Sequence, residues 1–132
     1  QRLNTDLAII DKRRERAGVS EVMNVIGDVR GRHCLLVDDI VDSGGSLCNA
    51  ARAIAQQGAA SVGAYVTHGV LTGQSVERIA DSPIEMLTLT DSIKATEVVA
   101  AARNIRQISI AGLLARAMRA VADESSVSSL FD

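Results

Sequence analysis

The chain has 132 residues, 47% of them hydrophobic, which is enough apolar material for one packed core and no reason to expect a second. Its 14 Lys and Arg against 16 Asp and Glu leave a formal charge of −2, without the broad cationic field of duplex binders, and one Tyr, one Phe and no Trp offer no base-stacking platform. No apolar run approaches the roughly 20 residues that cross a bilayer, and the opening QRLNTD lacks a secretory layout, so a cytoplasmic protein without nucleic-acid or membrane partners is expected.

Opening on Gln1 rather than Met, the chain reads as a processed product or a piece of a longer protein. The first apolar run, LAII at 7 to 10, predicts a strand, and a basic run of Lys12, Arg13, Arg14 and Arg16 follows it. EVMNVI at 21 to 26 reads as a strand outside the main alternation, part of a small flap. CLLV at 34 to 37, SVGAYV at 61 to 66 and IEMLTL at 84 to 89 are almost uninterrupted, as in strands covered on both faces.

Between these runs the period changes. Leu47, Ala50, Ala51 and Ile54 stand at i, i+3, i+4 and i+7 and predict a helix, which Gly58 ends because glycine tolerates the left-handed C′ geometry. A second helix is predicted from Ser75 to Ala80, before a turn at Asp81, Ser82 and Pro83. A third carries Ala95, Val98, Val99 and Ala102 on one stripe, and a last one aligns Leu114, Ala117, Met118 and Val121. Alternating strands and helices predict an α/β fold with an open, mostly parallel sheet flanked by helices, in a single domain. Cys34 and Cys48 lack CxxC spacing and read as reduced core thiols.

Chemistry concentrates in LLVDDIVDSGGSL, residues 35 to 47: a buried strand, an acidic pair, a Gly- and Ser-rich loop and the start of a helix. Ligands of open α/β sheets bind at this strand-to-helix crevice. Asp42, Ser43, Gly44, Gly45 and Ser46 offer a phosphate monoester convergent backbone N–H groups, a helix amino terminus and two hydroxyl donors. Asp38 and Asp39 would repel that anion, so they need another partner; ionised carboxylates only accept, and vicinal sugar hydroxyls donate. A phosphorylated ribose satisfies both halves. The plainer alternative is that the acidic pair faces solvent and Asp42 or Ser43 merely caps the helix.

VDDIVDSGGS resembles the phosphoribosyl-binding signature of type I phosphoribosyltransferase-fold proteins. IIDKRRER at 9 to 16, VTHGVLTG at 66 to 73 and SVSSLF at 126 to 131 narrow the resemblance to the carboxyl-terminal part of the ribose-phosphate pyrophosphokinase family, over nearly the whole chain. The resemblance implies transfer of the diphosphoryl group of ATP to ribose 5-phosphate. Lys12 and Arg14 of the KRR motif would act on the transferring group, and residues 38 to 46 would hold the acceptor sugar. It further implies Mg²⁺, with ligands mainly upstream of this chain, and a homohexamer in the complete enzyme. Ser126, Val127 and Ser128 would form a regulatory contact for phosphate or ADP. Because the domain that recognises adenine is also upstream, the chain alone is expected to be inactive while binding ribose 5-phosphate weakly.

Two other readings stay open: a phosphoribosyltransferase, which leaves KRR and SVSSLF unexplained, and a noncatalytic regulatory subunit of the same fold. His68 reads as a hydrogen-bonded structural histidine before a crevice ligand, and His33 as a surface residue.

Overall fold

The computed structural model describes residues 5–13 and 22–130, with backbone alone at 12, 13 and 22. Strands β1 (Ile9–Arg13) and β2 (Val22–Ile26) pair antiparallel in a two-stranded sheet of their own. The EVMNVI segment is thus a strand outside the main alternation, as predicted. The LAII run, expected in the main sheet, instead enters this small one. Only one side of a two-stranded ribbon can meet the core, so Ile10 packs inward while Ile9 is exposed.

The principal sheet has four parallel strands in sequential order: β3 (His33–Val41), β4 (Ser61–Gly69), β5 (Ile84–Thr90) and β6 (Ile105–Ile108). Helices α1 (Gly45–Gln56), α2 (Ser75–Ala80) and α3 (Glu97–Ala101) lie in the crossovers, and α4 (Ala111–Ala122) follows β6. A single turn of 3₁₀ helix, Val127–Leu130, follows α4. The α/β class and the parallel sheet are as the alternation predicts.

Helix α1 places Leu47, Cys48, Ala51 and Ile54 on one buried face against Val62, Ala64 and Val66 of β4 and Leu87 and Leu89 of β5. Gly58, at φ +92°, ends it: its N–H donates to the Ala55 carbonyl and that of Ala59 to Ile54, the paired closure of a Schellman turn. Cys48 is fully buried, and burial raises its thiol pKa. Gly69 closes β4 against the buried Leu89; a Cβ there would lie 2.5 Å from Leu89 Cδ1.

Three sequence expectations are corrected. The strands are not covered on both faces: the side carrying Leu35, Val37, Tyr65 and Ile108 is open, and Val37 is 74% exposed. The apolar stripe of α4 also faces outward, Met118 being 72% exposed, while Ala120 on the other side is buried. The third helix is only five residues long, starting after Thr96, whose hydroxyl accepts the Val99 N–H; Val99 is buried, Val98 is not, and Ala95 and Ala102 reach the core from outside the helix. Strand β6 has no counterpart in the sequence reading. Its IRQI segment buries Ile105 alone, so it lacks the apolar run that marks the inner strands.

Asp91 fastens the start of α4. Its carboxylate accepts the Ile110 N–H at 2.9 Å, and a side-chain hydrogen bond with Ser109 and this backbone bond hold its pKa below the ordinary value. A depressed carboxyl contributes stability above its unfolded pKa, about 3.9, and loses it as pH falls through the folded value. Protection of the α4 amides, taken as exchange relative to the unfolded rate at the same pH, is therefore expected to fall below about pH 4. Asp91→Ala should show low protection already at neutral pH, with the acid-induced fall removed. The same acid response in both proteins would overturn this role.

Candidate functional site

The loop of interest leaves the carboxyl end of β3, the side of an open α/β sheet where ligands bind. Asp38 and Asp39 lie in the second half of β3, Asp42, Ser43 and Gly44 form the turn, and Gly45 and Ser46 open α1. Both aspartates are exposed. Asp38 accepts the Asp39 N–H at 2.9 Å and lines a shallow hollow of about 120 Å³ at the carboxyl strand ends, shared with Tyr65, Thr67 and Thr90. A larger hollow, about 380 Å³, is bounded by Arg52, Glu77, Arg78 and Asp81 and includes no residue of the 38 to 46 segment.

Helix α1 starts without a side-chain cap. Gly44 holds the N-cap position at φ 75°, ψ −3°, and no acidic residue stands in the first turn. The capping role that Asp42 or Ser43 might have filled is therefore not taken by either. The first N–H groups of any helix lack acceptors within it and carry partial positive charge. Here they lie behind a turn of small residues, at the end of a parallel strand.

Both turn residues engage the segment after β4 instead. The Thr72 hydroxyl donates to Asp42 Oδ1 at 2.5 Å, and the Arg78 guanidinium of α2 donates to the Ser43 carbonyl. The α-carbon of Gly44 backs onto the same helix, a Cβ there falling 3.6 Å from Ile79 Cγ1. Sequence reasoning missed Thr72 and Arg78. Thr72 stands inside the quoted VTHGVLTG, but pairing residues 30 and 35 positions apart requires the fold.

His68, at the carboxyl end of β4, bonds through Nδ1 to Ser92 Oγ at 2.9 Å, in a cluster with Thr90 and the Thr67 carbonyl. It is hydrogen-bonded and exposed at the carboxyl strand end. His33 is exposed and bonded to Ser61. Lys12 is in β1, its backbone paired with Met23, but its side chain and all of Arg14 lie outside the described residues. Ser126, Val127 and Ser128 form an ordered turn: Ser126 Oγ accepts the Ser128 N–H, and the Ser126 carbonyl accepts the Ser129 hydroxyl. Phe131 lies outside the described residues.

Among the described residues, no three His, Cys, Asp or Glu side chains are gathered to hold a metal ion. No helix among the described residues is long and apolar enough to cross a membrane.

Residues 10–132 match the family model described as the phosphoribosyl synthetase-associated domain. The chain is 72% identical, over 99% of its length, to a ribose-phosphate pyrophosphokinase of Granulibacter bethesdensis, and 59% identical, over its whole length, to one of Agrobacterium fabrum. It spans 42% and 43% of those two relatives. Its fold is similar to the crystal structure of phosphoribosylpyrophosphate synthetase from Mycobacterium smegmatis, with a TM-score of 0.73 and 34% identity over 79% of this chain and 35% of that one.

Proposed function

Because the chain belongs to the phosphoribosyl synthetase-associated domain family, we propose that it is the part of a ribose-phosphate pyrophosphokinase that holds ribose 5-phosphate. The complete enzyme would transfer the diphosphoryl group of ATP to the sugar. The anomeric oxygen attacks the β-phosphorus and gives up its proton, the bond from that phosphorus to the α,β-bridging oxygen breaks, and AMP departs. The observation that carries the reading is the uncapped amino terminus of α1 behind the Asp42–Ser46 turn, at the carboxyl end of a parallel strand.

Each group then has a definite task. Backbone N–H groups of the turn and hydroxyls of Ser43 and Ser46 bind the 5-phosphate. Asp38 and Asp39 accept from the ribose hydroxyls, which orients the anomeric carbon. Lys12 supplies a compact charge to the transferring phosphoryl oxygens, and Arg14 clamps them with a planar fork. Mg²⁺, with ligands expected mainly upstream of this chain, would supply neutralisation of the polyphosphate charge when bound. Adenine recognition, a regulatory contact at Ser126, Val127 and Ser128, and a homohexamer belong to the same proposal, as does inactivity of this chain alone.

Titrating the isotopically labelled chain with ribose 5-phosphate is expected to shift the amide resonances of residues 43 to 46, with free ribose giving far smaller shifts. Those amides staying unmoved at saturating sugar phosphate would refute the site. For turnover, the chain can be fused to the amino-terminal portion of the Granulibacter bethesdensis relative. That fusion should release AMP from ATP only when ribose 5-phosphate is present.

A further inference from the structure

We infer that Arg78 and Thr72 are positioning residues that hold the phosphate loop in its anion-binding form, Arg78 by fixing the Ser43–Gly44 peptide plane. This deepens the proposed reading of that loop and rests on it. None of the described peptide bonds is cis, and in a trans peptide the C=O and the following N–H point in opposite directions. With Arg78 on the Ser43 carbonyl, the Gly44 N–H is turned to the other side of the plane, away from α2. That N–H is one of the donors a phosphate requires.

The need for such a clamp follows from the glycines. Gly44 and Gly45 give the loop access to backbone conformations closed to other residues, so its peptide planes rotate at little cost. A half-turn of the Ser43–Gly44 plane would replace a donor by a carbonyl oxygen and repel the anion. Arg78 opposes that rotation with a charged donor on the carbonyl side.

The clamp has a firm mounting. Ile79, next to Arg78, is fully buried and faces the Gly44 α-carbon, so α2 is anchored in the core directly behind the turn. The chain leaving β4 is bonded to the chain leaving β3: the N–H groups of Val70 and Leu71 both donate to the Val41 carbonyl, at 2.9 and 3.3 Å. Thr72 adds the bond to Asp42. Residues 70 to 79 thus form a backing plate that contacts successive positions of the loop from Val41 to Gly44.

The labelled chain carrying Arg78→Ala is expected to bind ribose 5-phosphate about tenfold more weakly, as losing one charge-assisted hydrogen bond implies. Its Gly44 amide resonance should be displaced before any ligand is added. Arg78→Lys, which restores a cationic donor, should recover most of the affinity. Thr72→Val should weaken binding, and Thr72→Ser should restore it. In the fusion enzyme Arg78→Ala should raise KM for ribose 5-phosphate more than it lowers kcat and leave KM for ATP unchanged.

Arg78→Ala with undiminished affinity and an unmoved Gly44 amide would overturn the positioning role while leaving the loop assignment intact. No amide shift in the unsubstituted chain with ribose 5-phosphate would remove the loop assignment and the bracing together. Should Arg78→Ala fail to fold, Arg78→Met, which keeps the stem and removes the donor, and Thr72→Val decide through the same two readouts. Wild-type affinity and amide positions in both would overturn the inference.

Discussion

Lys12→Ala in the fusion enzyme is expected to lower kcat by about three orders of magnitude, the scale of removing a preorganised charge from a developing anion, while ribose 5-phosphate affinity stays within about twofold. The separation follows from placement. The acceptor sugar is assigned to the carboxyl end of β3 and the start of α1, whereas Lys12 belongs to β1, in the separate two-stranded sheet. Removing its charge leaves the sugar site untouched and takes stabilisation from the transferring group alone. Lys12→Arg should recover little, because a planar fork does not reproduce a compact ammonium on a flexible stem. Steady-state turnover set beside a ribose 5-phosphate titration of the same protein checks both halves. Turnover within a few fold of the unsubstituted enzyme would remove Lys12 from the chemistry; a large loss of sugar affinity would move it into the acceptor site.

The second large effect is expected at Gly44. Gly44→Val should abolish detectable ribose 5-phosphate binding in the chain and activity in the fusion, and backbone conformation alone is cause enough. At φ 75° the position is left-handed, but an added Cβ would meet Ile79 Cγ1 at 3.6 Å, an ordinary contact. An L-residue forced into the left-handed region costs roughly 1–2 kcal/mol, and more when β-branched. The loop can shed that strain by leaving the conformation that presents its N–H groups. Gly44→Ala should fall between, weakening binding about tenfold for ~1.4 kcal/mol of strain. Gly45 provides the contrast: it lies in the first turn of α1, and its Cβ would meet nothing nearer than Ser43 Oγ at 3.8 Å. Gly45→Ala should keep its thermal midpoint within about 2 °C of the unsubstituted chain. Any binding lost there reports how closely the phosphate approaches. Normal affinity in Gly44→Val would show that the loop does not use this conformation.

Much of the fold can be read from one-dimensional pattern because its elements have distinct periods. The inner strands and α1 announce themselves by long apolar runs and by the Leu47, Ala50, Ala51, Ile54 stripe. Elements at the periphery do not. β6 buries one residue of four, so period alone cannot identify it, and α3 is five residues long, so its stripe locates the helix without giving its bounds. The α4 stripe is real, yet a stripe says that a face is apolar, not that this chain covers it. The strand–turn–helix junction proposed to bind phosphate was legible for a different reason: acidic pair, small residues and helix start are contiguous in the chain. Arg78 and Thr72 were not, since their relation to Ser43 and Asp42 exists only after α2 and the β4 exit pack behind the turn.

The uncovered side of the sheet has a practical corollary. Leu35 and Val37 on β3, and Ile108 across the sheet on β6, present hydrocarbon to water on one wall of the molecule, and surfaces of that kind draw in whatever amphiphile is at hand. Purified alone, the chain should light up anilinonaphthalene dyes while fully folded. Dye fluorescence is thus an unsafe gauge of its unfolding.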